Sequence, residues 1–269
     1  MTRLGIIGGG NMAEALVAGL IKAKLLEPVR MLVSDVREER LVHLASKYKV
    51  KTTRDNLEIA RECDTVLLAV KPNVAGEVLD EISTVLGSHQ LLVSIVAGLP
   101  IAAIEARLSK PVAVIRVMPN TAALVQEAAT GIATGQSATP AHRDMALRMF
   151  NAIGEAHLVA EEQMDAVTAL SGSGPAYFFR VIEAMEAAGV AEGLDAATAR
   201  ALAVQTAYGA ARMMSQTMED PADLRRKVTS PGGTTEAALK VLEEKKWGEI
   251  LAEAIRAARV RAGELARGA

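Results

Sequence analysis

The first chemical signal in the chain is Gly8-Gly9-Gly10-Asn11-Met12-Ala13, a G-x-G-x-x-A run preceded by apolar residues and followed by helical spacing. Each position has a physical task in holding a dinucleotide. Gly8 permits a tight turn, Gly10 leaves the backbone bare for a pyrophosphate, and Ala13 lets helix and strand pack closely. The helix that opens at Asn11 and Met12 offers N–H groups and a positive dipole end to phosphate oxygens. Further on, Ser34-Asp35-Val36-Arg37 ends the next apolar run. Asp35 suits the ribose 2′-hydroxyl of NAD. Ser34 and Arg37 suit the 2′-phosphate of NADP, which Asp35 would repel. These residues leave NADH and NADPH equally open, and they also suit a plain helix start in which Asp35 is the cap.

A second candidate lies far along the chain, in Thr229-Ser230-Pro231-Gly232-Gly233-Thr234-Thr235. The Gly pair and the hydroxyls place backbone N–H groups at a helix N-terminus, which suits a carboxylate. The same residues also suit a Gly turn followed by a cap from Thr229 or Ser230. Three shorter segments, Ala69-Val70-Lys71-Pro72, Ala97-Gly98 and Pro119-Asn120, stand where apolar runs stop. Ligands of open α/β sheets bind along that carboxyl edge. Lys71 reads either as an acid or cofactor-orienting group or as a solvated lysine ahead of Pro72. The histidines, His43, His89, His142 and His157, have no ligand spacing, so no metal site is expected. Cys63 precedes a buried run and reads as inert packing.

These residues need elements to hold them. Residues 1–160 alternate short apolar runs (3–7, 31–33, 65–70, 91–96, 112–117 and 156–159) with helical spacing such as 12–23, 38–47 and 142–152. Strands apolar on both faces, separated by helices, indicate a parallel sheet covered on both sides. From residue 161 to 269 Ala-rich helical periodicity takes over, in 164–169, 176–188, 196–215, 221–227, 234–245 and 247–266. The expectation is an α/β dinucleotide-binding domain over 1–160 followed by an all-α domain over 161–269. Ser171-Gly172-Ser173-Gly174-Pro175 reads as a turn opening a long helix, where it either helps close a site or allows a close helix crossing. Aromatics make up only 3% of the chain, so a helical domain of this size has a thin core, and an obligate oligomer is expected. Tyr177, Phe178 and Phe179 read as core or subunit interface.

Five segments in order, Gly8–Met12, Ala69–Pro72, Met118-Pro119-Asn120-Thr121, Ser171–Phe179 and Val228–Thr235, resemble the pyrroline-5-carboxylate reductase family, which makes the last step of proline synthesis. The last two segments are specific; the others occur more loosely in many Rossmann reductases. One departure is Ala122, where the family usually has Pro. The resemblance implies an α/β Rossmann-type domain, an all-α C-terminal dimerisation domain, and reduction of a cyclic imine to L-proline by NADPH or NADH. It implies a homodimer through the helical domain, assembling further in some members as a ring of dimers. It places Ala69–Pro72, Ala97, Gly98, Pro119 and Asn120 around the nicotinamide and ribose, and Asn56 near the adenosine end, where Asn56 equally suits a helix cap. Ser230, Gly232, Gly233, Thr234 and Thr235 hold the substrate, with the Thr235 hydroxyl on the ring nitrogen. Asp35 stands where NADPH-preferring members often have Asn, which deepens the cofactor question.

An imine is electrophilic once protonated, so it needs a hydride donor about 3–3.5 Å away and a group that donates to its nitrogen; it needs no metal and no covalent intermediate. Two other readings stay in view. A β-hydroxyacid dehydrogenase has a similar build, but its catalytic Lys has no counterpart in residues 171–177. A nucleotide sensor that lost catalysis would not need the Thr234-Thr235 loop. Composition narrows the partners. Thirty Lys plus Arg against 32 Asp plus Glu give a net charge of −2, so no nucleic-acid partner is expected. One cysteine, no apolar run of about 18 residues and no signal-peptide pattern point to the cytoplasm and to no membrane association.

Overall fold

The structure, a computed structural model, describes residues 3–267. Its N-terminal elements are β1 (Leu4–Ile7), α1 (Asn11–Lys22), β2 (Met31–Ser34), α2 (Glu38–Tyr48), β3 (Lys51–Thr53), α3 (Asn56–Glu62), β4 (Thr65–Leu68) and α4 (Pro72–Ser83). Then follow β5 (Leu91–Ser94), α5 (Ile101–Glu105), β6 (Ala113–Met118), β7 (Ala128–Thr134), α6 (Pro140–Asn151) and β8 (Gly154–Leu158). The strands form one sheet in the order β3-β2-β1-β4-β5-β6-β7-β8. The order reverses between β1 and β4, whose parallel register pairs Ile7 with Leu68. That reversal opens a crevice at the carboxyl ends of the two strands, directly after Ile7 and Leu68.

Both faces of the sheet are covered, as the continuous apolar strands require. Leu4 and Ile6 of β1 and Leu67 of β4 join a core with Leu16 of α1 and Phe150 of α6. Ile7, Val66 and Leu68 point the other way, into a core with Ile59 of α3, Leu79 of α4 and Ile104 of α5. Side chains that alternate faces along one strand thus pin the site-bearing strand ends from both sides.

The sheet is not wholly parallel. β7 runs antiparallel to β6, pairing Val117 with Ile132, and then parallel to β8. The sequence does not announce β7, because Ala-Ala-Thr-Gly-Ile-Ala-Thr carries few of the bulky residues that mark strands. The short edge strand β3 escapes the apolar pattern for a related reason: its Lys51, Thr52 and Thr53 are polar.

After β8 come α7 (Met164–Val167), a π-helical stretch Thr168–Gly172, α8 (Gly174–Ala191), α9 (Ala196–Thr217), α10 (Pro221–Lys227), α11 (Thr234–Glu244) and α12 (Trp247–Arg267). The turn expected at Ser171–Pro175 is therefore mostly helix. Ser173 N–H bonds the Thr168 carbonyl at 2.8 Å, and the Ser171 hydroxyl donates to the Val167 carbonyl at 3.0 Å. A Cβ on Gly172 would stand 2.7 Å from Met118 Cε, the flexible end of a side chain from β6, so Gly172 packs closely there without being required by backbone contact. The chain divides into two compact units, one made of residues 3–174 with 258–267 and the other Pro175–Ala257. No described helix is long and apolar enough to cross a membrane.

Candidate active site

The glycine-rich turn sits at the switch point between β1 and β4. Gly8 has φ +102°, and a Cβ there would lie 2.6 Å from the Ala69 carbonyl oxygen, so only glycine fits without strain. Its N–H bonds the Ser34 carbonyl, and Ala69 N–H bonds the Ile7 carbonyl, each at 2.8 Å. Gly10 is the N-cap of α1, and no side chain bonds this helix end. A Cβ on Gly10 would meet nothing within 4 Å. Open space beside an uncapped helix N-terminus fits a pyrophosphate. Asn11 is exposed and Met12 half-buried at this mouth, and Ala13 is buried against the sheet.

The residues after β2 are tightly organised. One Asp35 oxygen accepts the Gly9 N–H at 2.8 Å. The other accepts the Arg37 N–H at 2.9 Å and its Nε at 3.2 Å. Burial works against the charge on Asp35, yet the bonds from Arg37 and Gly9 outweigh it and hold its carboxyl below the usual aspartate range. Arg37 is exposed and is itself the N-cap of α2. Ser34 is buried, and its hydroxyl donates to Asn56 Oδ1 at 2.7 Å, while Asn56 Nδ2 donates to Glu81 at 2.8 Å. The cap of α3 is Asp55, which accepts from Leu57 N–H; Asn56 is not the cap.

The remaining segments lie at strand ends, as their positions require. Ala69 and Val70 are half-buried after β4, Lys71 is the exposed N-cap of α4, and Pro72 opens that helix. Ala97 is exposed after β5, and Gly98, with φ +70°, abuts Leu265 of α12. Pro119 and Asn120 are buried after β6. The Asn120 side chain is consumed by the protein, donating to the Ser171 carbonyl at 3.0 Å and accepting from Ala122 and Ala129.

In the helical unit, α11 begins after the second candidate loop. Its N-cap is Gly233, again with no side-chain cap. The capping alternative for Thr229 and Ser230 therefore falls away: the Thr229 hydroxyl bonds the Arg225 carbonyl at 2.7 Å. Gly232 adopts φ +71°, and its N–H is held by Glu236 at 2.7 Å. Ser230 and Thr234 are exposed and Thr235 is half-buried, in the first turn of α11.

Sequence reasoning missed a cluster under the glycine turn. Glu14 of α1 accepts from Arg40 at 2.7 Å, His43 at 2.9 Å, Lys47 at 3.0 Å and Tyr48 at 3.1 Å. Burial opposes its charge, but these donors hold its carboxyl well below the usual glutamate range. Arg40 Nε also donates to the Gly9 carbonyl at 2.8 Å. Nothing in the spacing of α2 sets these side chains apart from an ordinary solvated face. Cys63 is buried and its thiol is pushed up to about 11, chiefly by burial, so it is no nucleophile. Among the described residues no group of three His, Cys, Asp or Glu is placed to hold a metal.

Comparisons with known proteins agree with this arrangement. Residues 3–98 match the family model for NADP oxidoreductase, coenzyme F420-dependent, and residues 161–265 match the one for pyrroline-5-carboxylate reductase dimerisation. The pyrroline-5-carboxylate reductase of Methanosarcina acetivorans is 46% identical over 90% of both chains. Pyrroline-5-carboxylate reductase 2 of Bacillus subtilis is 40% identical over 98% of this chain and 95% of its own. Among solved structures, the pyrroline-5-carboxylate reductase of Coxiella burnetii superposes with a TM-score of 0.94 at 39% identity, covering 98% of both chains. The Plasmodium falciparum pyrroline carboxylate reductase, solved with NADP bound, has a TM-score of 0.87 at 30% identity over 98% of both chains. Likeness that spans nearly the whole chain, through the dinucleotide turn and the helical region alike, makes this chain a member of the pyrroline-5-carboxylate reductase family.

Proposed function

We propose that this protein reduces Δ1-pyrroline-5-carboxylate to L-proline with NADPH or NADH. The observation that carries the reading is the match to reductases of that name over nine tenths of the chain or more. When bound, the cofactor would supply a hydride to the imine carbon, and the ring nitrogen would take the matching proton to become the amine of proline. The chain's own part is to bind, orient and donate.

In this reading the Gly8–Ala13 turn takes the pyrophosphate on the bare N-terminus of α1. Asp35 and Arg37 face the 2′ position, with Ser34 and Asn56 as their support from behind. Ala69, Val70, Lys71, Pro72, Ala97, Gly98 and Pro119 form the walls for nicotinamide and ribose, and Asn120 acts through its backbone. The first-turn N–H groups of α11, with the Ser230 and Thr234 hydroxyls, hold the substrate carboxylate. Gly232 and Gly233 shape that loop, and Glu236 secures it through the Gly232 N–H. The Thr235 hydroxyl donates to the ring nitrogen. The functional division is a dinucleotide-binding part over residues 1–160 and a substrate and dimerisation part over 161–269. The latter pairs with a second copy, and dimers build a ring. The one cysteine and its inert state suit a cytoplasmic setting.

Nicotinamide absorbance tests the reading. Purified protein given pyrroline-5-carboxylate should oxidise NADPH or NADH with stoichiometric formation of proline. Thr235→Ala should lower kcat by about 10²-fold, the low end for losing a proton-handling group, with cofactor KM unchanged. Cofactor binding with no oxidation in the wild type would refute the assignment.

A further inference from the structure

We infer that Arg40, which lies outside the glycine motif, is a positioning residue for cofactor binding: it sets the direction of the Gly10 N–H. The inference rests on the proposed dinucleotide site. Gly9, the middle glycine, is tied at both of its backbone groups by side chains from beyond the motif. Its N–H goes to Asp35 at 2.8 Å and its carbonyl to Arg40 Nε at 2.8 Å. A trans peptide is planar, and its C=O and N–H point opposite ways. Turning the Gly9 carbonyl inward onto Arg40 therefore turns the Gly10 N–H away from Arg40, at a residue with open space at its Cβ position.

Glycine has no side chain to enforce this orientation, so without an anchor the Gly9–Gly10 peptide can flip. The anchor is itself fixed. Arg40 is only 18% exposed, and its second nitrogen bonds Glu14 at 2.7 Å, which holds α2 against the first turn of α1. The cluster also settles the local charge. A lone Glu14 at this helix end would repel phosphates. Here Arg40 and Lys47 outnumber it, and His43 and Tyr48 share the same oxygen. The groups facing Arg40 are thus the Gly9 carbonyl and one carboxylate, both acceptors, which is the pairing a forked guanidinium meets best.

The test is a direct titration of NADPH and NADH by nicotinamide fluorescence, beside steady-state kinetics. Arg40→Met keeps the aliphatic stem and removes every donor. It should raise the cofactor Kd and KM about 10-fold, while kcat and the substrate KM at saturating cofactor stay within about twofold, the pattern of lost cofactor binding alone. Arg40→Lys, a single point charge, should recover part of the loss by keeping Glu14 neutralised. A purely structural role would instead lower the melting temperature and active fraction, leave Kd per folded site unchanged, and overturn the inference. Wild-type binding with an unchanged Arg40→Met sinks this inference alone. A wild type that binds neither cofactor sinks the dinucleotide site with it.

Discussion

The two compact units solve burial in opposite ways. In the first, Ile6, Val33, Leu67, Val93 and Ile115 are wholly buried, and the strand ends that carry the glycine turn are gripped from both faces. In the second, Pro175–Ala257, the buried hydrophobic residues are just Ala199 and Ala203. Phe178 is 65% exposed, Phe179 62% and Leu202 55%, with Met213 and Ile250 also open. A soluble chain rarely leaves so much apolar helix surface in water without a partner. One unit is finished by its own chain; the other is finished by a second copy, which the match to a dimerisation domain explains. The proposed cofactor turn lies in the first and the proposed substrate loop in the second, so the two halves of the chemistry should respond differently to damage.

The largest expected effect comes from the open helices. Burying one Phe is worth about 1.5–3 kcal/mol, and twofold symmetry doubles each contact. Phe178→Glu with Phe179→Glu should therefore convert the assembly to monomer in sedimentation, cut turnover by more than about 10²-fold and reduce helical circular dichroism. NADPH binding, which the proposed site places in the first unit, should persist within a few-fold. A monomer with full activity would break the comparison. Gly8→Ala should give the reverse pattern. Strain of about 1–3 kcal/mol, from a positive φ and a Cβ driven into the Ala69 carbonyl, falls inside the first unit. Cofactor Kd should rise about 10- to 100-fold with the oligomer intact, read by fluorescence titration and light scattering. Unchanged binding would mean that the turn relaxes.

How far the sequence foretold all this follows the same division. The turn was legible because Gly8 must be glycine, because Gly10 leaves its backbone bare, and because β1 and α1 flank them at fixed spacing. The helices α8 to α12 were legible from period and from Gly breaks, and Pro221–Lys227 falls where its pattern places it. β7 was hidden by its small residues, and the Ser171–Pro175 segment looked like a turn because Ser, Gly and Pro are turn formers, although residues 168–172 and 174–175 are helical. Asn56 could be read two ways until Asp55 appeared as the cap of α3. The Glu14–Arg40 cluster was beyond reach altogether. It is a long-range pairing, 26 residues apart in sequence, between charged groups that individually resemble any solvated helix face. Constraints written into backbone conformation show locally; those written into side-chain partnerships show only in three dimensions.

Smaller effects sharpen the account of the first unit. Asp35→Asn keeps an acceptor for the Gly9 N–H but removes the charge that a 2′-phosphate would meet. The ratio of kcat/KM for NADPH over NADH should rise about 10-fold, one favourable charge interaction at a partly buried site. An unchanged ratio would assign the discrimination to Arg37 instead.

The smallest expected effect is on acid stability. Glu14 ordinarily titrates near 4.5, and its folded carboxyl titrates below that. Between those values the folded chain keeps a charge that the unfolded chain has already neutralised, so the unfolded state binds more protons and stability rises with pH. The Glu14 contribution is thus full above about 4.5 and drains as pH falls toward the depressed folded value. One proton bounds the slope at about 1.4 kcal/mol per pH unit. Glu14→Gln should lower the melting temperature of the first unit at neutral pH and flatten its acid limb between pH 3 and 5, with the helical unit's transition unmoved. If the acid limb of Glu14→Gln runs parallel to the wild type, the carboxylate is not what holds α1 to α2, and the weight passes to the apolar packing of Leu16 and Leu44.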